Sequence, residues 1–181
     1  EIYFLMIFFF FLIGFFIPVN NLQGATIVTW GGDLWETIDT VPTSNNFVDI
    51  EAGATFGIAL KSTGEIAVWG DYESNEISNA PSGSNFVKIA AGVSHGLALK
   101  SDGSITSWGY DEYNQVTNTP AGTNFQEIDG GLYHSLALKT DGSLQSWGRD
   151  NCGQISNTPS STNFTAIAAG YEHNLALKSD G

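Results

Sequence analysis

The segment Asn85 to Gly109, NFVKIAAGVSHGLALKSDGSITSWG, occurs four times in the chain. Its copies begin at Asn46 (NFVDIEAGATFGIALKSTGEIAVWG), at Asn124 (NFQEIDGGLYHSLALKTDGSLQSWG) and, cut short, at Asn163 (NFTAIAAGYEHNLALKSDG), a step of 39 residues each time. Trp30, Trp69, Trp108 and Trp147, each followed by glycine, keep the same step. A unit this short cannot bury its apolar residues alone, so the copies must stack and share their cores.

Within one unit the pattern predicts strands. Phe86 to Ala91 is a short apolar run ended by Gly92, and His95 to Lys100 alternates Leu97 and Leu99 with Gly96 and Ala98. Ser104 to Trp108 follows after Asp102-Gly103, a pair that reads as a hairpin turn with positive φ. Large leucines alternating with small residues, with almost no charge, describe a strand covered on both faces. After Trp-Gly comes a variable polar loop, then a brief strand such as Val116-Thr117, then an Asn-Thr-Pro segment. Proline at 42, 81, 120 and 159 fits an edge or a loop and excludes a central strand. Four short strands per unit, punctuated by glycine and proline, argue for an all-β fold, a β-propeller of four-stranded blades. Helical repeats are disfavoured because no run long enough for 3.6-residue periodicity escapes a Gly, Pro or Asp-Gly break. A β-solenoid is the weaker alternative.

The repeat phase divides the chain into a half-repeat at 25–45, repeats at 46–84, 85–123 and 124–162, and a half-repeat at 163–181. Ile27 to Gly31 corresponds to Ile66 to Gly70, so the first half-repeat has only the back of a unit and the last has only the front. Residues 1–24 differ from all of this: Ile2 to Ile17 is an unbroken apolar run, read as a signal peptide or an uncleaved membrane anchor. Either one exports the repeats.

Charge narrows the partners. Nineteen acidic residues against six basic ones give a net charge of −13, and Lys61, Lys100, Lys139 and Lys178 all occupy one repeat position. Only Lys88 and Arg149 fall elsewhere, so the clustered cations that a phosphate backbone needs are missing, and nucleic acid is not an expected partner. The lone Cys152 cannot close a disulfide within the chain.

The run Ile-Ala-Ala-Gly-x-x-His-x-Leu-Ala-Leu at Ile89 to Leu99 and Ile167 to Leu177, the Lys-x-Asp-Gly turn, the Trp-Gly pair and Gly153-Gln154 ahead of Pro159 resemble the repeats of the regulator of chromosome condensation family. The likeness covers Ile27 to Gly181 and implies a seven-bladed ring, of which about four repeats are present here as a fragment. A four-bladed ring closed by the two half-repeats is the alternative, but blades shaped for seven-fold packing would have to tilt far more steeply. In compactness the repeats are similar to the branch that includes a secreted propeller-type inhibitor of β-lactamases. The wedge and basic surface that the nuclear exchange factors of the family use have no counterpart here.

No constellation of catalytic residues breaks the repeat symmetry, so no enzyme activity and no cofactor are expected. His95, His134 and His173 share one position with Phe56, and a position that accepts Phe is a packing site more readily than a metal ligand. Asp102, Asp141 and Asp180 read as turn residues rather than calcium ligands. The repeats differ mainly in two places, the pair before the histidine position and the loop after Trp-Gly. Every tyrosine beyond the leader falls there, which nominates Trp35, Tyr72, Glu73, Tyr110, Asp111, Glu112, Tyr113, Tyr133, Arg149, Asp150, Tyr171 and Glu172 as binding residues. The expectation is an extracellular or cell-surface propeller that holds a protein or a surface glycan through these aromatic and acidic loops, touching the membrane only through the leader. The alternative is a regulator of a secreted hydrolase, or the propeller portion of a larger enzyme; guanine-nucleotide exchange comes last.

Overall fold

The computed structural model describes residues 25–31, 40–71 and 75–180. The leader and its assignment as signal peptide or anchor lie outside them. Each full repeat folds into one antiparallel sheet of three strands: β1 (Phe47–Ala52), β2 (Phe56–Lys61) and β3 (Ile66–Gly70); β4 (Phe86–Ala91), β5 (His95–Lys100) and β6 (Ile105–Gly109); β7 (Phe125–Gly130), β8 (His134–Lys139) and β9 (Leu144–Gly148). The last half-repeat contributes a two-stranded sheet, β10 (Phe164–Ala169) and β11 (Asn174–Lys178). A single helical turn, α1 (Asn75–Ser78), follows β3.

Register repeats with sequence. Phe47 faces Lys61, Phe86 faces Lys100, Phe125 faces Lys139 and Phe164 faces Lys178, each followed by a bulge one residue on. The bulge lets the aromatic ring turn into the core while the rest of the strand keeps its pairing. The middle strands β2, β5 and β8 are buried at five of six positions, so both of their faces are covered. One face packs on the preceding repeat and the other receives the next blade. Phe86 and Ile89 meet Ile58 and Leu60, and Phe125 and Ile128 meet Leu97 and Leu99. The first strands β1, β4, β7 and β10 are neighbours of one another, which places them together along one side of the arc.

Successive blades are also tied by their backbones at both ends. At one end Ala54 N donates to Val93 O (3.0 Å), Val93 N to Gly131 O (3.2 Å) and Leu132 N to Tyr171 O (3.1 Å). At the other, Phe86, Phe125 and Phe164 each donate N–H to the hairpin glycine of the preceding blade, Gly64, Gly103 and Gly142, at 3.1 Å. Those glycines have φ near +80°, and a Cβ on any of them would stand 2.4 Å from a backbone oxygen of the incoming chain. The turn therefore needs glycine for its conformation and for the close approach.

Two details differ from the sequence reading. The hairpin is not a two-residue turn with positive φ at both positions: among non-glycine residues described, only Asn114 has positive φ, at 61°. Asp102 instead accepts from the Ser104 N–H and hydroxyl, Asp141 from those of Ser143, and Gly103 or Gly142 alone takes the left-handed conformation. The carboxylate holds a tighter bend than the backbone alone would. Second, the fourth strand expected at Val116-Thr117 is absent, and the blades have three strands. Asp111 accepts from the N–H groups of Val116 (2.7 Å) and Thr117 (2.9 Å), and Asn118 N reaches Asn114 O at 3.0 Å. Those donors are thus committed to a compact turn and cannot extend a sheet.

Leu97 has no exposed surface and sits in the core shared by the second and third blades. Leu97→Ala should lower stability by about 3 kcal/mol, read as an earlier urea midpoint with an unchanged slope.

Candidate functional site

The two variable segments of each blade meet at one end of it. The residue after Trp-Gly donates its N–H to the pair that precedes the middle strand of the same blade: Asp71 N to Thr55 O (3.1 Å), Tyr110 N to Ser94 O (2.9 Å) and Arg149 N to Tyr133 O (2.8 Å). Because the blades are related by stacking, this brings the loops of neighbouring blades side by side. Tyr133 of the third blade lies 5.0 Å from Tyr113 and 5.6 Å from Tyr110 of the second, ring centre to ring centre. The Arg149 guanidinium stands over both Tyr113 (5.3 Å) and Tyr133 (5.8 Å). Glu172 from the fourth blade pairs with Arg149 at 3.4 Å, and Asn151, with its amide oxygen turned to the guanidinium, accepts from Nε and Nη2 at 3.0 Å.

The nominated residues therefore divide. Tyr110, Tyr113, Tyr133, Arg149 and Glu172 form one continuous cluster across three blades, and the three tyrosines are half-buried against each other. Glu112 is exposed and accepts from the Tyr110 hydroxyl. Tyr171 is 58% exposed, beside Glu172. Asp111 and Asp150 brace their own loops by accepting from backbone N–H groups five and six residues on. Burial works against the Asp111 charge, but hydrogen bonds from Thr117 and Val116 outweigh it and hold the carboxyl below the usual carboxylate range. Asp150 is held low by the Ser156 and Ile155 N–H groups at 3.0 and 2.8 Å. Trp35, Tyr72 and Glu73 lie outside the described residues.

Four contributors were not nominated, one of them Asn151 on the Arg149 guanidinium. Gln115 and Gln154 are buried under successive loops, and their side-chain oxygens accept from Tyr113 N (3.0 Å) and Cys152 N (2.8 Å). The signal was available, since the two glutamines are 39 residues apart. Cys152 donates its thiol to Glu172 at 3.5 Å, and that hydrogen bond pushes the thiol above its ordinary range, away from the reactive thiolate.

The histidines lie beneath this face. His95 and His134 are fully buried, and each reaches 40 residues forward into the next blade: His95 Nε2 to the Ser135 hydroxyl and His134 Nε2 to Asn174 Oδ1, both at 2.9 Å. Their rings lie over the glycines three residues earlier, where a Cβ on Gly92 or Gly131 would come within 2.2 or 2.1 Å of the ring. The Gly-x-x-His pattern is thus a packing requirement. Burial, and then the neighbouring His134, pushes His95 down to about 4, against the pull of Asp111.

Stacked three-stranded blades with a loop face at one end define a β-propeller arc. The regulator of chromosome condensation (RCC1) repeat matches two of its stretches, residues 86–115 and 125–154. A comparison with curated proteins gives no match. Similar solved structures include the ectodomain of the Physcomitrella patens receptor kinase CR4 (22% identity, TM-score 0.74, covering 88% of this chain and 45% of that one). Others are the CRINKLY WD40 ectodomain of the Arabidopsis thaliana receptor kinase ACR4 (23%, 0.60, 77% and 48%) and yeast RCC1 (Prp20) bound to Kap60 (22%, 0.62, 78% and 44%). The chain spans less than half the length of each.

His95 supplies a pH test. An unfolded histidine titrates near 6.5, so the unfolded chain binds the proton first, and the contribution is present above that pH and lost as pH falls from about 6.5 towards 4, up to about 3 kcal/mol. The double substitution His95→Phe with Ser135→Gly copies the pair Phe56 and Gly96 found at the same positions one blade earlier. Urea midpoints at pH 7 and pH 4.5 should fall less steeply with acid in this variant than in the parent chain.

Proposed function

We propose that this propeller arc is a non-enzymatic binding module whose loop face, centred on Tyr113, Tyr133 and Arg149, holds an extracellular protein or surface glycan. The observation that carries the reading is the convergence of variable residues. Positions that differ from repeat to repeat are the ones brought together across three blades, while the invariant positions are consumed by the core. Tyrosine offers large contact area with few rotamers to freeze, and a guanidinium held by Glu172 and stacked on two rings is already ordered before a partner arrives.

Charge supports the choice of partner. With a net charge of −13 the chain repels polyanions, so nucleic acid is an unsuitable ligand, whereas a protein or a neutral glycan meets no such barrier. Similarity to two plant receptor-kinase ectodomains supports an extracellular setting, in line with the reading of the apolar run Ile2 to Ile17 as an export signal or anchor.

The test is a screen of the chain against arrayed ectodomains and glycans, repeated with Tyr110→Ala combined with Tyr113→Ala. Both rings are partly exposed, so the variant should keep the parent's far-UV spectrum and urea midpoint within about 1 kcal/mol. Ligands of the parent chain should lose tenfold or more in affinity. Unchanged affinities would remove these loops from the interface.

A further inference from the structure

Among the described residues, the loop face carries one cation, and that cation is already satisfied. Arg149 lies over the rings of Tyr113 and Tyr133, pairs with Glu172 and is capped by the Asn151 amide oxygen. Tyrosine faces with a carboxylate beside them are thus a setting in which this fold seats a guanidinium, because ring quadrupole and carboxylate act on the same charge. In the loop one blade earlier, Tyr110 and Glu112 stand at the positions of Arg149 and Asn151. The Tyr110 hydroxyl donates to Glu112 Oε2, and its ring leans on Tyr133 at 5.6 Å. A tyrosine and a carboxylate again stand together. Here, among the described residues, no cation pairs with Glu112 or lies over the Tyr110 ring. Glu112 is exposed and Tyr110 partly so. The same chemistry is therefore built a second time, with the cation left out.

Charge is unevenly shared between the two ends of the blades. Lys61, Lys100, Lys139 and Lys178 end the middle strands, at the hairpin end, where Glu65 and the turn residues Asp102, Asp141 and Asp180 match them in number. Lys88 is paired with Glu127 on the neighbouring first strand. None of these lysines reaches the loop end, where Asp71, Asp111, Glu112, Asp150 and Glu172 are set against Arg149. Aspartates 111 and 150 keep their charge while they brace the backbone, since both are held below the usual carboxylate range. A negative field therefore projects from the loop face and not from the hairpin end, and it draws in cations.

Resting on the reading of this face as a binding surface, we propose that its partner is a protein held through a basic segment, with an arginine or lysine of that segment lying on the Tyr110 ring and its cation against Glu112. The tyrosine hydroxyl takes Oε2 of the carboxylate, which leaves Oε1 for the incoming charge. Arginine suits the place better than lysine, because a planar guanidinium stacks on a ring and donates sideways at once, as Arg149 does next door. A neutral glycan would use the rings and leave the charge imbalance unused.

The experiment titrates the full chain, held in a neutral detergent, with short peptides of one backbone that carry paired arginines, citrullines or glutamates, and with a neutral oligosaccharide, while the tyrosine ring signals are followed by NMR. Citrulline has the shape of arginine without its charge. The arginine peptide should shift the Tyr110 and Tyr113 signals and bind about tenfold more tightly than the citrulline peptide. Its affinity should fall about threefold or more as salt rises from about 50 to about 300 mM. Glu112→Gln should bring the arginine peptide down to the citrulline level, and Glu112→Lys should move the preference to the glutamate peptide. Both variants change an exposed side chain and should keep the parent's urea midpoint. Equal binding of the arginine and citrulline peptides, or indifference to Glu112→Gln, overturns the proposal. An oligosaccharide that shifts the same rings where the arginine peptide does not would keep the binding face and replace its partner. If no probe moves the Tyr110 and Tyr113 signals, the reading of the face as a binding surface falls together with the proposal.

Discussion

Each of the three complete blades has a middle strand with no face left for water, and the rest of the architecture follows from that. β2, β5 and β8 alternate leucine or isoleucine with alanine and with glycine or serine, and are covered on one face by the preceding repeat and on the other by the next blade. Covering a leucine fully is worth roughly 2 kcal/mol, so an interface with two of them, a phenylalanine and an isoleucine outweighs any local preference of the connecting loops. The backbone links at both ends then fix the angle at which that apolar contact is made. Stacking supplies the energy, and hydrogen bonds supply the geometry.

The buried polar positions obey the same rule. His95 and His134 are placed where an apolar ring would serve, as Phe56 shows, and each is tolerated because the following blade provides an acceptor or donor 40 residues on. Ser135 and Asn174 accordingly stand where Gly96 stands opposite the phenylalanine position. Asn174 also donates to Gln154 O at 2.9 Å, in the last blade, where Trp147 Nε1 donates to Gln115 O at 2.9 Å one blade earlier. One carbonyl position is satisfied by two different side chains, because an unpaired buried acceptor is costlier than a change of partner.

The loop face gains its order from below. Asp111 and Asp150 fold the loops, Gln115 and Gln154 fill the space beneath them, and the aromatic residues are left to pack laterally from blade to blade. A loop of polar residues would be mobile if its donors were solvated. Here two carboxylates take up those donors, so Tyr110, Tyr113 and Tyr133 are presented on a fixed support. Arg149 belongs to this support as much as to the surface, since Glu172 and two rings hold it.

The period of 39 residues, the glycines that accept a hairpin turn, and the alternation of large and small residues determined the strands, the stacking and the propeller class, because each of these is a local pattern that recurs. Local patterning also separated invariant core positions from variable loop positions, and so nominated the tyrosines. Tertiary structure alone decided the rest. Whether Val116-Thr117 became a strand depended on a carboxylate five residues earlier in the loop capturing its donors. Whether aspartates of the loop faced a partner or the backbone depended on the same contact. That Tyr133 meets Tyr113 of the preceding blade, and that Glu172 meets Arg149, depends on the angle between sheets, which no single repeat encodes. Sequence determined what each blade contains; the packing of one blade on the next decided which residues share a surface, because that angle is set by contacts between residues about 40 positions apart.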